Sequence, residues 1–207
     1  MRSIVRPITL AAFAVAAVPV ARAQAVHVEV TPFIGAFIPT AALGPVHVRP
    51  LGPTITAKAE MTSSMSIGGR IDVYSRGRIG IQGMYFHSAG GMRVTGGGVP
   101  HNLKAVVQGG ALKVNYQATA AQTGTDLVLS LGVSGISHSG AAFALDGNNF
   151  DMGGVVGGGL HIVVSPTVTL RFDGDLLLYR FASAALFPRT TQSDLMISAG
   201  LGLKLGR

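Results

Sequence analysis

The sequence predicts an all-β chain: an eight-stranded, antiparallel, up-and-down transmembrane β-barrel. Three observations predict it. Apolar and polar residues alternate with period two through eight segments, the pattern of strands with one apolar face. No stretch after residue 25 reaches the run of about 18 apolar residues that a membrane-spanning helix needs. Yet 48% of the 207 residues are hydrophobic and only 12% charged, against about 25% charged in an ordinary soluble domain. The same balance excludes disorder. With no Cys, the chain has no disulfide, no thiolate metal site and no Cys nucleophile.

The first segment reads as an export signal. Arg2 and Arg6 precede an apolar run from Ile8 to Val20, and Ala21-Arg22-Ala23 supplies a small-x-small cleavage pattern. The 15 residues between Arg6 and Arg22 fall short of the roughly 17–25 that cross a bilayer. Residues 1–23 are therefore assigned as a cleavable signal peptide, cut between Ala23 and Gln24, and residues 24–207 as one barrel domain. Without Arg2, Arg6 and Arg22 the formal charge falls from +7 to +4. The basic excess thus belongs largely to export and does not point to nucleic acid.

The strands follow in order. In the first, Val28, Val30, Ile34 and Ile38 oppose His27, Glu29, Thr31 and Gly35. The second sets Ile67, Ile71 and Val73 against Ser66, Arg70, Asp72 and Tyr74, and the third sets Ile79, Ile81 and Tyr85 against Arg78, Gln82 and Met84. The fourth alternates Leu112, Val114 and Tyr116 with Lys113 and Asn115. In the fifth, Leu127, Leu129, Leu131 and Val133 oppose Asp126, Val128, Ser130 and Ser134. The sixth opposes Met152, Val156, Leu160, Ile162 and Val164 to Gly157, Gly159 and His161. The seventh has Val168, Leu170, Phe172, Gly174, Leu176 and Leu178 on one face. Thr169, Arg171, Asp173, Asp175 and Tyr179 lie on the other, with Leu177 the apolar exception. The eighth sets Leu195, Ile197, Ala199, Leu201, Leu203 and Leu205 against Ser198, Gly200, Gly202 and Lys204.

Short connections (Ser75–Gly77, Thr119–Thr125, Ser165–Pro166) alternate with long ones (Ala41–Ile55, Ser88–Leu103, Ser137–Asn149, Ala182–Ser193). In a meander, that alternation gathers all long loops at one end of the barrel. Most are rich in Gly, Pro, Ser or Asn, as loops are.

The charges decide which face looks inward. Five acids (Glu29, Asp72, Asp126, Asp173, Asp175) and five bases (Arg70, Arg78, Lys113, Arg171, Lys204) share the minority face. A soluble exterior is denser in charge. A matched set is what a narrow closed interior needs, because an unpaired buried ion costs several kcal/mol. The ten are expected to form a lumen charge network, with Glu29 pairing Lys204 or Arg70. Gly35, Gly68, Gly157, Gly159, Gly200 and Gly202 are expected to make room in the lumen for Arg and Tyr side chains from facing strands. Lipid forbids an open sheet edge, so the first strand must pair with the last.

With these features the chain resembles the small eight-stranded outer-membrane barrels of the OmpA/OmpX type. The likeness covers nearly all of residues 26–207. It rests on the signal peptide, an opening strand Val28-Glu-Val-Thr-Pro-Phe-Ile-Gly-Ala36, a Gly-rich sixth strand Gly153–Gly159 followed by Ser165-Pro166, the charged seventh strand, and a closing Leu201-Gly-Leu-Lys-Leu205. Such barrels usually end on an aromatic residue, whereas this sequence has Leu205-Gly206-Arg207. The resemblance implies a bacterial outer-membrane location, outer-membrane lipids including lipopolysaccharide as partners, and a monomer. There being no Trp, Tyr74, Tyr85, Tyr116 and Phe181 are the candidates for the aromatic girdles.

Two functional readings follow: a membrane-anchored scaffold displaying four loops over a plugged lumen, or a narrow pore or transporter of small or apolar solutes. Some barrels of this type are lipid A deacylases with a His, one residue, then Ser-Asn. Here Ser137-His138-Ser139 is followed by Gly140, no acid is fixed beside the imidazole, and Asp146 and Asp151 are the only nearby acids, so no catalytic residue is assigned. The six His have no period-two partner on a strand face, so no metal ligand is assigned, and no cofactor is implied. Around the long loops, Arg49, Lys58, Arg93, Lys104, Arg180 and Arg189 face Glu60, Asp146, Asp151 and Asp194. That bias suits either a solvated rim or contact with lipopolysaccharide phosphates.

Overall fold

The computed structural model describes residues 27–40, 44–48, 55–75, 78–95, 101–119, 124–144, 150–181 and 190–205. The expected signal peptide and its expected Ala23/Gln24 cleavage point lie outside the described residues, as do Arg49, Asp146 and Arg189.

Ten strands form one antiparallel sheet: β1 (His27–Pro39), β2 (Gly44–Val48), β3 (Ile55–Met61), β4 (Ser64–Tyr74), β5 (Ile79–Thr95), β6 (His101–Gln117), β7 (Thr125–Ser139), β8 (Phe150–Ser165), β9 (Val168–Phe181) and β10 (Thr190–Leu205). Eight of them close a barrel, because β1 pairs with both β4 and β10 and β5 pairs with β6. The other two are a hairpin. β3 takes over from β4 along the upper part of β5, at Met61↔Met92, and β2 pairs outside it. At the junction Thr62 bonds Gly91 through both its amide and its hydroxyl.

Register can be followed once round the ring. Val28 pairs Val73, and the partners then run Ile81, Val114, Leu131, Val156, Leu176 and Leu195, returning to β1 at Ile38. The ring therefore closes with a slip of ten residues, from 28 to 38. At about 3.3 Å per residue that is roughly 33 Å, against roughly 38 Å for eight strand spacings, a tilt of about 40°. Every residue on this circuit is aliphatic and points outward. Next to it the opposite face is closed: Leu131 is 68% exposed and Ser130 8%. Apolar residues face out and polar ones in, the arrangement of a barrel in lipid.

The long connections are shorter than the sequence suggests. Residues 41–55 hold β2 and the start of β3, and residues 88–103 are mostly strand, since β5 and β6 stay paired from Ser88↔Val107 to Val94↔His101. Glycine does not interrupt them because both strands are paired and Gly90 lies close against Ser64 of β4. β7 runs to Ser139, and Ala141–Phe143 form a 3-10 turn. That turn folds into the barrel mouth, where Ala142 and Phe143 are buried. Gly140 makes the reversal possible, with φ near 100°, a region open to glycine at little cost.

Candidate functional site: a lumen in two layers

The lower half of the lumen, toward the short turns, is polar. Arg171 of β9 reaches Glu29 (3.0 Å), Asp72 (2.5 Å) and Asp173 (3.5 Å). Arg70 of β4 pairs Asp173 (3.4 Å) and Asp175 (3.2 Å) and donates to Ser198 Oγ at 2.8 Å. Lys113 closes the chain on Asp175 at 2.6 Å. Seven charged side chains from β1, β4, β6 and β9 thus form one connected set, all at most 9% exposed. Asp72 is also an acceptor hub, taking bonds from Gln82 Nε2 (2.6 Å) and Asn115 Nδ2 (2.8 Å). His161 adds a contact to Asp173 at 3.1 Å. Such pairs hold ions in a dry interior only when nearly every lone pair is met.

Three of the ten expected lumen charges stand apart. Arg78 is exposed one residue before β5, and its carbonyl caps Gln117 N. It lies in the turn, where the alternation no longer sets its direction. Asp126 is buried opposite His161 but makes no ion pair among the described residues. Lys204 is in register with Glu29 yet also makes no ion pair among them. The expected pairing of Glu29 with Lys204 or Arg70 is replaced by Arg171, two strands away. The reason is Gly202 of β10, which lies between: a Cβ there would stand 2.3 Å from Glu29 Oε1. The carboxylate lies over the bare backbone and reaches β9.

Four more inward-facing glycines work in a similar way, whereas Gly35 and Gly200 lie against the neighbouring backbone at Ile197 O and Pro32 O. A Cβ on Gly159 or Gly157 would stand 2.2 Å from Oδ1 of Asp173 or Asp175. Gly68 lies under Phe33 and Gly80 under Tyr74. They accommodate carboxylates and aromatic rings of neighbouring strands, not Arg side chains from facing ones.

Above this floor the lumen is apolar. Phe33, Phe37, Met84, Phe86, Ile136, Val155, Leu177 and Met196 form one buried cluster. Phe37 and Phe86 stack at 5.9 Å, and the Arg70 guanidinium lies 4.2 Å from the Phe33 ring, joining the two layers. Leu177, the exception in the seventh strand, belongs to this layer. So does Phe181, which with Tyr74 points inward. Neither is a girdle residue; Tyr85 and Tyr116 do face outward.

At the outer mouth a second polar group is buried. Tyr179 Oη donates to Asp194 Oδ2 at 2.5 Å and stands 3.3 Å from His138 Nε2. His138 Nδ1 is 3.7 Å from Asp151 Oδ2, so an acid does lie beside this imidazole, brought by β8. Phe143 and Phe181 cover the ring at 5.3 and 5.1 Å. Ser139 is on the opposite face of β7 and exposed. A His138–Ser139 dyad is therefore impossible in this strand.

A closed eight-stranded ring with aliphatic residues outside and ion pairs inside defines the class: a small transmembrane barrel of the bacterial outer membrane. Solved structures agree. The chain is similar to the outer membrane protein OprG of Pseudomonas aeruginosa, with TM-score 0.65, 12% identity, and 89% of this chain and 98% of that one covered. It is also similar to the outer membrane protein AlkL (TM-score 0.55, 13% identity, 92% and 96% covered). The N-terminal barrel domain of Pseudomonas aeruginosa OprF follows at TM-score 0.52, 12% identity, with 86% and 97% covered. At these identities the likeness concerns the fold. No protein-family model and no curated sequence matches the chain.

Proposed function

We propose that this protein is a non-catalytic, membrane-anchored scaffold that presents its long-loop end at the cell surface over a lumen closed to solutes. The supporting observation is the double closure: an ion-paired floor, and above it a packed layer of Phe, Met, Leu and Ile. An eight-stranded barrel leaves an interior just wide enough for side chains to fill. The scaffold acts as a monomer in contact with outer-membrane lipids. Bilayer conductance tests it. Wild type and Arg70→Ala are both expected to be silent, because the apolar layer remains when the floor is weakened. Ion-selective steps from wild type, or from Arg70→Ala alone, would overturn the scaffold reading.

A second reading, transport of small apolar solutes, is favoured by one observation. The upper lumen is lined by Phe and Met, and the outer wall carries a shallow groove where Ala36, Gly174 and Ala199 lie among Ile34, Leu195 and Ile197. Uptake of a fluorescent hydrocarbon into vesicles, dependent on the protein and blocked by Gly174→Trp, would favour this reading over the scaffold.

A further inference from the structure

We propose that the outward face of the β3–β5–β6 sheet is a binding site for the phosphate groups of lipopolysaccharide in the outer leaflet, held by Lys58, Arg93 and Lys104. This goes beyond the scaffold reading and does not depend on whether the lumen conducts.

Alternation places the three cations together. Ala59, Met92 and Ala105 turn into the core from β3, β5 and β6. Their neighbours Lys58, Glu60, Arg93 and Lys104 therefore share the opposite, lateral face. Glu60 is in register with Arg93, and Lys104 with Gly91, two residues from Arg93 on the same strand. Arg93 is a diagonal neighbour of Lys58 on one side and of Lys104 on the other, roughly 7–8 Å away in each case, so Arg93 and either lysine can share one phosphate. Lys58 is already engaged, 2.5 Å from Glu60. Its hydrogen bond and charge, with a smaller effect from Arg93, hold the Glu60 carboxyl below the usual carboxylate range. The face thus keeps three positive charges against one negative. Arg93 and Lys104 make no ion pair among the described residues.

Asp151 and Asp194, which the sequence places on the same rim, turn inward and are 6% and 1% exposed.

Height identifies the ligand. From Ile79 to Arg93, β5 rises about 35 Å at 3.3 Å per residue and 40° of tilt, while the apolar band is about 25 Å tall. Arg93 therefore stands roughly 10 Å beyond the band, at the level of glycolipid phosphates. Below it on the same two strands come Ala89 and Val106, then the His87–Gln108 hydrogen bond (3.2 Å) in the upper part of the band, then exposed Tyr85, Leu112 and Val114. Cations above a polar step above an apolar wall match a phosphorylated, acylated amphiphile standing beside the barrel. The Arg fork suits phosphate oxygens, and the Lys groups serve as point charges.

The test uses the folded full barrel in detergent and measures binding of purified lipopolysaccharide, before and after enzymatic removal of its lipid A phosphates. Folding of each variant is checked by the mobility of unboiled samples on SDS gels. Wild type is expected to bind the phosphorylated form at least tenfold more tightly. K58Q/R93Q/K104Q is expected to lose at least tenfold and to bind both forms alike. Arg180→Gln, exposed on β9 away from this face, is expected to stay within twofold, and Glu60→Gln to bind more tightly. Equal binding of the two forms, or a folded triple variant with wild-type affinity, would overturn the proposal. So would heparin, a polyanion without acyl chains, binding as tightly as intact lipopolysaccharide. If the triple variant fails to fold, Glu60→Gln decides: no gain in affinity overturns the site.

Discussion

Arg171→Ala tests the lumen floor most severely. The guanidinium is 1% exposed and is the common partner of Glu29 and Asp72. The loss is unequal among its partners. Asp173 keeps Arg70 and His161, and Asp72 keeps its bonds from Gln82 and Asn115. Glu29 keeps only Thr31 Oγ1 at 3.4 Å among the described bonds. Removing one member of a buried pair costs about 3–5 kcal/mol, chiefly by leaving the other charge uncompensated. With a urea slope of about 2.5 kcal/mol per molar, the unfolding midpoint should fall by about 1.2–2 M. The chain has no Trp, so unfolding in lipid vesicles is best followed by far-UV circular dichroism and gel mobility. Arg171→Ala/Glu29→Gln should recover about 1–2 kcal/mol, because it neutralises the charge left most exposed to desolvation. An unchanged midpoint for Arg171→Ala would place Arg171 outside the lumen, since an arginine on a solvated exterior costs little to remove.

Two glycines separate the faces of the wall. Gly159→Val should cost about 1–3 kcal/mol by displacing Asp173, whereas Gly174→Leu, with nothing within 4 Å of its Cβ, should leave the urea midpoint unchanged or raise it. At the mouth, Tyr179→Phe removes the 2.5 Å donor to buried Asp194 and should cost about 1–3 kcal/mol, again read by urea titration. Phe143→Ala uncovers His138 and should speed proteolysis of the β7–β8 connection in intact vesicles while the barrel remains SDS-resistant.

The ring and its polarity were legible because they depend on period two alone. Leu129 out and Ser130 in needs no knowledge of topology. The pairing of Glu29 with Arg171 was not legible. It depends on the ten-residue slip that sets which strand lies two places away, and on Gly202 having no side chain. The mouth cluster joins His138, Asp151, Tyr179 and Asp194 from four strands, so only the closed sheet assembles it. The apolar upper lumen did leave a signal. Val155-Val156, Leu176-Leu177-Leu178 and Leu195-Met196-Ile197 are apolar on both faces, the mark of strands covered on both sides. In a barrel, one cover is lipid and the other a packed lumen. Pro45, Pro50 and Pro53 read as loop punctuation and obscured the β2–β3 hairpin, in which Pro45 lies on the edge strand β2 and costs no central ladder bond.

This barrel carries its apolar face outward and its charges inside, and probe access from either side of the wall tests that directly. Because the chain has no Cys, single cysteines from Leu127 to Val133 can be spin-labelled in folded protein in vesicles without background labelling. Collisions with oxygen, concentrated in lipid, and with a water-soluble nickel chelate then report each site's surroundings. High oxygen access is expected at 127, 129, 131 and 133, and low access to both reagents at 128 and 130. Nickel access at the odd positions, with none of the lipid signal, would contradict it and turn the barrel inside out.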